Sequence, residues 1–140
     1  MDIERERQSH PVPSAAVTGV AAVTKIVGHG GGPRVSVNIV EFTAGARTAW
    51  HSHPHGQTLF VLAGRGLVQA RGGDRVEVGT GDVIYTPPGE EHWHGAVPDA
   101  AMAHLAIAER HDDGTEEVPP GLRPVSDASY LGLPPGWQST

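Results

Sequence analysis

Residues 45–64 read GARTAWHSHPHGQTLFVLAG, a histidine-rich segment followed by an apolar one. His51 and His53 are two positions apart, so a β-strand would direct both imidazoles to the same face. After the Pro-Gly bend, residues 57–62 have the Thr, Phe and Val content that is typical of a strand, and a glycine follows them. The segment therefore predicts two short strands with paired imidazoles near their junction.

A second histidine pair, His92 and His94, follows the turn signal Pro87-Pro88-Gly89. Its members also share one strand face, and imidazoles brought together on a sheet face form a typical transition-metal site. The chain has no cysteine, so nitrogen and oxygen atoms must supply every ligand. If Gln57 faces the interior, its amide oxygen reaches a metal held by the first pair and His92. Three imidazoles and one amide oxygen leave one or two coordination positions open, which is typical of a catalytic site.

The rest of the sequence predicts about nine short strands at spacings of roughly 8–12 residues. Gly and Pro residues separate these strands, and no amphipathic helix interrupts them. This pattern is typical of an all-β single-domain barrel or jelly roll. We therefore predict an N-terminal arm over residues 1–16, a β-barrel over residues 17–110, and a Pro/Gly-rich C-terminal tail over residues 111–140. The tail contains one helical candidate, residues 126–131, with Ser126 as its N-cap.

Length and charge limit the classes of partner. The chain has 140 residues and a mass of 14.7 kDa, which fits one domain. A formal net charge of -6 without any basic stretch argues against nucleic acid and anionic membrane as partners. The N-terminal residues lack the apolar core of a signal peptide, and no apolar run approaches the ~20 residues of a membrane span. We therefore expect a cytoplasmic protein whose partner is a small-molecule substrate.

The two histidine segments resemble the two sequence motifs of the cupin superfamily. The matching patterns are Gly45-x5-His51-x-His53-x3-Gln57-x6-Gly64 and Gly81-x5-Pro87-x-Gly89-x2-His92. The resemblance implies a cupin-type β-barrel, or double-stranded β-helix, whose metal ligands are His51, His53, Gln57 and His92. Two positions depart from the usual motif, since cupins usually have Glu in place of Gln57 and Asn in place of Ala96. An amide in place of a carboxylate leaves the site of a divalent ion with one more positive charge, which favours polarisation and proton transfer over redox chemistry.

The segment from about position 40 to 110 is similar, more closely, to the bacterial manganese-dependent cupin hydroxynitrile lyases. The similarity rests on Gly45–His51, His53–Pro54, Gly56–Leu59, Pro88–Glu90, His92–Ala96 and Ala101–Ile107. In that group the Gln ligand and the missing Asn are normal. The resemblance implies one divalent transition metal per chain, with Mn(II) expected and Fe(II), Zn(II) or Ni(II) as alternatives. It also implies that His104 and His94 are the histidines beside the metal that do not bind it.

We therefore expect a metal-dependent lyase of the hydroxynitrile lyase type, in which the metal acts as a Lewis acid and His104 or His94 moves a proton. Alternatively, His104 is a hydrogen-bonded core residue, and His94 is a ligand or orients His92. Two other functions compete with the lyase: an Fe(II)-dependent dioxygenase acting on a small chelating substrate, and a non-enzymatic module that binds a metal or small ligand. Asn38 and Ala108 lie on strands predicted to line the pocket, and we expect them to set substrate choice.

The expected oligomer is a homodimer. Small cupins generally pair by sheet packing, so the resemblance implies association, and exposed edge strands favour the same outcome because they need cover. We expect C2 symmetry. The N-terminal arm, residues 1–16, is a candidate to cross to the partner subunit.

Overall fold

The computed structural model describes residues 1, 3–27, 34–110, 121–134 and 136–137. Two internal ranges, 28–33 and 111–120, lie outside the described part of the chain. The range 111–120 is the start of the predicted C-terminal tail. The elements of the described residues, in chain order, are β1 (Ser9–Pro11), β2 (Val17–Thr18), β3 (Ala21–Val27), β4 (Val35–Phe42), β5 (Arg47–Thr48), β6 (Gln57–Ala70), β7 (Val76–Gly79), β8 (Val83–Thr86), β9 (His92–Ala96), β10 (Met102–Glu109) and α1 (Asp127–Leu131).

Strand β6 joins the two halves of the sheet. Its first part pairs antiparallel with β8 and β10, and its second part pairs antiparallel with β7 and β9. The sheet continues from β10 through β4 and β3 to β1, and from β9 through β5 to β2. Gly64 lies where β6 changes partners and has a φ of 80°, and a Cβ there would lie 2.0 Å from the carbonyl oxygen of Ala101. Only glycine fits this position, because any side chain would collide with the β10 side of the sheet.

The predicted all-β, single-domain barrel is confirmed. The first of the two strands predicted within residues 45–64 is shorter than expected, because regular pairing ends at Thr48 and, among the described residues, only isolated bridges continue at Trp50 and His51. The second strand is longer, because β6 runs on to Ala70. Within the predicted N-terminal arm, Ser9–Pro11 form β1, which pairs with β3 of the same chain.

The barrel interior contains one apolar cluster and a row of polar side chains. The buried apolar residues are Val17, Ala21, Phe42, Ala46, Val61, Val78, Ala96 and Met102. The inward positions of β6, β9 and β10 also carry Gln57, His92, His94 and His104, all of which are buried. Buried polar groups need partners, so these side chains identify the part of the barrel to examine for function.

A second apolar cluster lies where the C-terminal segment packs against β5 and β9. Its buried members are Trp50, Leu67, Trp93, Val97, Val125 and Tyr130. Arg47 closes the contact: its guanidinium donates to the carbonyl oxygen of Val125 at 2.8 Å, pairs with Asp127 at 2.7 Å, and lies 4.4 Å from the ring centroid of Tyr130. The tail therefore supports the strands that carry the histidines from behind.

The helix α1 confirms the predicted helical candidate. Ser126 is its N-cap and accepts a hydrogen bond from the backbone N–H of Ser129 at 3.1 Å. Gly132, in the left-handed conformation at φ 69°, ends it. No helix in the described ranges has the length and apolarity needed to cross a bilayer.

Candidate metal centre

Backbone pairing brings His51 and His92 together. The N–H of His51 donates to the carbonyl oxygen of His92 at 3.0 Å, and the N–H of His92 donates to the carbonyl oxygen of His51 at 2.9 Å. This reciprocal pair of hydrogen bonds makes the two residues direct cross-strand neighbours. Their ring centroids are 4.4 Å apart. His51 and His92 are 41 positions apart in the chain. The two histidine segments therefore meet at one point of the barrel.

His53 completes a group of three imidazoles. Its ring centroid lies 5.0 Å from that of His51 and 5.5 Å from that of His92. One ring nitrogen from each residue lies within 4.8 Å of the other two. An ion with metal–nitrogen bonds of about 2 Å needs nitrogen separations of roughly 3–4 Å, so small side-chain rotations would let all three bind one ion.

Backbone carbonyls set the tautomers of two of these rings. The Nδ1 of His51 lies 2.8 Å from the carbonyl oxygen of Ala49, and the Nδ1 of His92 lies 2.9 Å from that of Glu90. A carbonyl oxygen only accepts, so Nδ1 carries the proton and donates in both rings. The lone pair is then on Nε2. This is the arrangement found in metal-binding histidines, whose second nitrogen is held by a partner outside the metal site.

Gln57 adds an oxygen to the group. Its Oε1 lies 3.1 Å from Nε2 of His92, and both side chains are buried. Because Nδ1 of His92 already holds the proton, two lone pairs face each other across this distance. A cation between them would turn this repulsive contact into a favourable one. The donor set of three imidazole nitrogens and one amide oxygen therefore fits a divalent transition metal.

Burial keeps these rings in the neutral form that binds metals. The pKa of His51 is lowered to about 3, first by burial and then by the neighbouring His92, against a hydrogen bond to the carbonyl of Ala49 that raises it. The pKa of His92 is also lowered, mainly by burial, although the backbone and charge of Glu90 oppose the shift. Neutral imidazole is required for metal binding, so the rings compete with few protons at neutral pH.

A second histidine pair lies beside this group. Nε2 of His104 is 2.9 Å from Nδ1 of His94, and the two side chains are 0% and 4% exposed. The His94 ring is 5.1 Å from that of His51 and stacks on that of His92 at 5.7 Å. Among the described residues, Nε2 of His94 and Nδ1 of His104 have no hydrogen-bond partner. The pair therefore shares one internal hydrogen bond and retains one unused nitrogen at each end.

Burial also keeps the second pair neutral. The pKa of His94 is lowered well below 6.5, first by burial and then by the nearby His104 and His51. The pKa of His104 is lowered to about 4 by burial, against backbone contacts that raise it. The Phe42 ring packs on both, 5.9 Å from His94 and 5.5 Å from His104 between centroids. Two neutral imidazoles in contact can take up a proton at one ring and pass another to the second.

The structure places the other residues considered from the sequence. Asn38 lies on the barrel-facing side of β4 beside Ala106, with an Oδ1 that has no hydrogen-bond partner among the described residues. Ala108 pairs with Ser36 at the neighbouring position. His55 is half-buried. Trp50 and Trp93 pack behind the site, in the apolar cluster under the C-terminal segment.

Sequence reasoning missed several groups that support the site. The carbonyls of Ala49 and Glu90 each stand two positions before the histidine that they hold, a repeated local spacing that could have been noticed. The packing of Phe42 on the His94–His104 pair, and of the tail on Trp50 and Trp93, had no local signal.

Comparison with known proteins supports these observations. Residues 38–108 match the family model described as the cupin domain. Over 73 residues, 52% of this chain and 56% of the relative, the sequence is 60% identical to (R)-mandelonitrile lyase from Granulicella tundricola, so the match spans about half the length of that curated relative. The crystal structure of a cupin-like protein from Thermotoga maritima is 36% identical, with a TM-score of 0.80 over 97% of this chain and 100% of that one. The polyketide cyclase RemF from Streptomyces resistomycificus, at 23% identity, shares the fold with a TM-score of 0.70 over 96% of this chain and 94% of its own.

Proposed function

Because this chain belongs to the cupin family, we propose that it is a metal-dependent lyase that cleaves a small hydroxynitrile-type substrate. The observation that carries the proposal is the neutral, hydrogen-bonded pair His94–His104 beside the cluster of His51, His53 and His92. The 60% identity to part of a protein named (R)-mandelonitrile lyase supports the reaction class. The fold alone would not support a reaction class, since proteins with one fold catalyse many different reactions.

The proposed metal ligands are His51, His53, Gln57 and His92. Nitrogen and oxygen donors without thiolate suit Mn(II), which we propose, and also Fe(II), Zn(II) and Ni(II). Such an ion, when bound, would supply Lewis acidity that lowers the pKa of a substrate hydroxyl and stabilises the negative charge on its oxygen. Gln57 keeps the full charge of the ion at the site, because its amide is neutral.

The His94–His104 pair handles the proton in this proposal. Nε2 of His94 accepts the proton of the substrate hydroxyl, and its Nδ1 proton moves to Nε2 of His104 along the 2.9 Å hydrogen bond. The carbon–carbon bond to the nitrile then breaks, its electron pair leaves with cyanide, and a carbonyl forms. Reversal of the proton movement gives hydrogen cyanide, so the pair returns to its neutral state.

The barrel interior also limits access of water to this pair. His94 and His104 are almost fully buried, and Phe42 covers both rings. An environment that excludes water prevents loss of the proton to solvent while the carbon–carbon bond breaks. His51 and His53 are half-buried, so we propose that substrate reaches the metal past these two rings.

The test is anaerobic turnover of mandelonitrile by protein loaded in turn with Mn(II), Fe(II), Zn(II) or Ni(II). We expect release of benzaldehyde and cyanide with at least one of these metals. His104→Ala should lower kcat by about 100-fold or more while metal content stays at the wild-type level. His10→Ala, a matched control on the exposed strand β1, should change neither.

Two outcomes would contradict the lyase, and a third would contradict the role given to the His94–His104 pair. Oxygen consumption with Fe(II), without anaerobic turnover, would indicate a dioxygenase. Metal binding without turnover of any hydroxynitrile would indicate a binding module. Full activity of His104→Ala would remove the pair from the mechanism. The cytoplasmic location also stays a prediction, to be checked by fractionation.

A further inference from the structure

The inner side of β10 changes from a large to a small side chain beyond His104. The inward positions that follow this histidine are Ala106 and Ala108. Ala106 is opposite Leu59 on β6 and opposite Asn38 on β4. Cross-strand partners leave an antiparallel sheet on the same side, so the two alanines form the floor of a trough between Leu59 and Asn38. We call this space the β10 trough, and one end of it lies at the His94–His104 pair.

The β10 trough is enclosed at the histidine end and open at the other. His104 is fully buried, whereas Asn38 and Ala108, which face the same side of the sheet, are half-buried. Lys25 is opposite Asn38 on β3 and is exposed. Solvent therefore reaches the rim at Asn38 but not the histidine pair. A molecule that reacts at the pair and extends along β10 would meet the Asn38 side chain.

Asn38 brings an unsatisfied hydrogen-bond acceptor to the β10 trough. Its Oδ1 atom is buried and has no hydrogen-bond partner among the described residues. A buried polar atom without a partner destabilises a fold, so such an atom in a native protein needs a donor from outside the chain. Leu59, on the other side of the trough, is apolar and 1% exposed. The trough therefore has one apolar side and one side that requires a hydrogen-bond donor.

We propose that Asn38 selects a substrate with a second hydroxyl group, which donates a hydrogen bond to Oδ1. The inference rests on the proposed lyase function and names its substrate class, an aromatic hydroxynitrile with a hydroxyl at the far end of its ring. Ala106, opposite Asn38, is two positions from His104, roughly 7 Å along the strand. A para hydroxyl stands at a comparable distance from the reacting carbon. The methyl side chain of Ala106 leaves room for the flat ring beside Leu59.

A carboxylate is the alternative terminal group, because Lys25 is opposite Asn38 at the rim. A carboxylate only accepts hydrogen bonds, so it would face the lone pairs of Oδ1 without a proton between them. A hydroxyl donates to Oδ1 and can accept from the Lys25 ammonium at the same time. Lys25 is also exposed, so solvent weakens its attraction for an anion. The hydroxyl therefore suits both side chains better.

The test is isothermal titration of the Mn(II)-loaded chain with two analogues that have no nitrile to lose, 4-hydroxybenzyl alcohol and 4-methylbenzyl alcohol. We expect the hydroxyl compound to bind about tenfold more tightly, because the methyl compound of equal shape leaves Oδ1 without a donor. Asn38→Leu, which replaces the amide with an apolar group of similar size, should remove this preference. Glu41→Gln, at an exposed position on the opposite side of β4, is the matched control and should retain it.

Asn38→Asp is the second variant, because it keeps an oxygen acceptor in the same place, and it should retain the preference for the hydroxyl compound. Circular dichroism and metal content report that each variant is folded and loaded. Turnover gives a separate readout of the same contact. In the wild type, kcat/KM for 4-hydroxymandelonitrile should exceed that for mandelonitrile by about tenfold, and the two values should be equal in Asn38→Leu.

Equal binding of the two alcohols by the wild type, or binding of neither, would overturn the proposal and leave water as the partner of Oδ1. Tighter binding of 4-(hydroxymethyl)benzoate than of 4-hydroxybenzyl alcohol would overturn it in favour of an anionic substrate. A preference for the hydroxyl compound that survives in Asn38→Leu would overturn it as well. A preference that Asn38→Leu removes, in a protein that turns over no hydroxynitrile, would contradict the lyase and leave the assignment of Asn38 standing.

Discussion

The two histidine groups of the barrel are neighbours, but they are held differently. His51 and His92 give their Nδ1 protons to backbone carbonyls at 2.8 and 2.9 Å, so their tautomers are fixed by the main chain. His94 and His104 are held by each other at 2.9 Å, and their outer nitrogens have no partner among the described residues. An imidazole whose Nδ1 is fixed by a carbonyl has only Nε2 left to act as a ligand. Two imidazoles that hydrogen-bond to each other can exchange a proton, so in the proposed function the first group binds the metal and the second moves the proton.

Removing one ring from the group of His51, His53 and His92 should give the largest effect. His92→Ala should lower metal affinity by at least 100-fold, since it takes away one ligand and leaves Oε1 of Gln57 without its neighbour. The rise in Tm on adding Mn(II) should disappear with it, because binding to the folded state is what raises Tm. Elemental analysis and thermal unfolding measure both effects. Equal metal content in His92→Ala and wild type would contradict the assignment of His92 to the metal-binding group.

Acidification should report on the buried pair. The folded-state pKa of His104 is about 4, below its ordinary value of 6.5, so the unfolded chain binds more protons between these values. The contribution of this residue to stability is complete above pH 6.5 and falls as pH drops toward 4, with a total change on the order of 3 kcal/mol. Denaturant titrations of the metal-free protein at several pH values measure it. His104→Phe should reduce the number of protons taken up on unfolding by about one. If the slope of the unfolding free energy against pH is unchanged in this variant, His104 is not buried in its neutral form.

Replacing the Gln57 amide with the carboxylate that cupins usually have at this position tests the proposed metal ligands alone. Gln57→Glu should tighten Mn(II) binding by about tenfold, because a negative ligand adds direct attraction to the ion. Turnover should fall, since the site then carries less positive charge to stabilise a substrate anion. Gln57→Leu is the matched control and should weaken binding. Isothermal titration with Mn(II) measures affinity, and weaker binding by the Glu variant would place residue 57 outside the metal site.

The smallest expected effect comes from the ring that packs on the buried pair. Phe42→Leu keeps an apolar side chain but removes the aromatic contact with His94 and His104. We expect a loss of about 1 kcal/mol in stability and a several-fold fall in kcat, with metal affinity unchanged. Steady-state kinetics with a parallel metal titration measures this. A change in metal affinity without a change in kcat would mean that Phe42 supports the metal-binding histidines and not the His94–His104 pair.

Local patterns in the sequence predicted the all-β fold, and they predicted that three histidines meet. The spacing of His51 and His53, and the turn before His92, predicted imidazoles that the structure brings within 4.8 Å. The cap at Ser126 predicted α1 in the same way, because a cap depends on a few neighbouring residues.

Contacts that cross the barrel could not be predicted from local patterns in the sequence. His94 and His104 lie on strands that flank opposite parts of β6, opposite Val68 and Val61, so their contact depends on how far the sheet curls. The packing of Val125 and Tyr130 behind Trp93 is equally long-range. Strand phase predicted that each side chain faces inward or outward, and it contained no information on which of them meet.

The central claim is that the imidazoles of residues 51, 53 and 92 share one ion. X-ray absorption spectroscopy at the Mn edge of the loaded protein tests this claim directly. We predict one Mn(II) per chain, a coordination shell of nitrogen and oxygen only, and the outer-shell scattering of three imidazoles. That signal should drop by one ring in His53→Ala. A coordination shell without imidazole scattering, or one that His53→Ala leaves unchanged, would contradict the account.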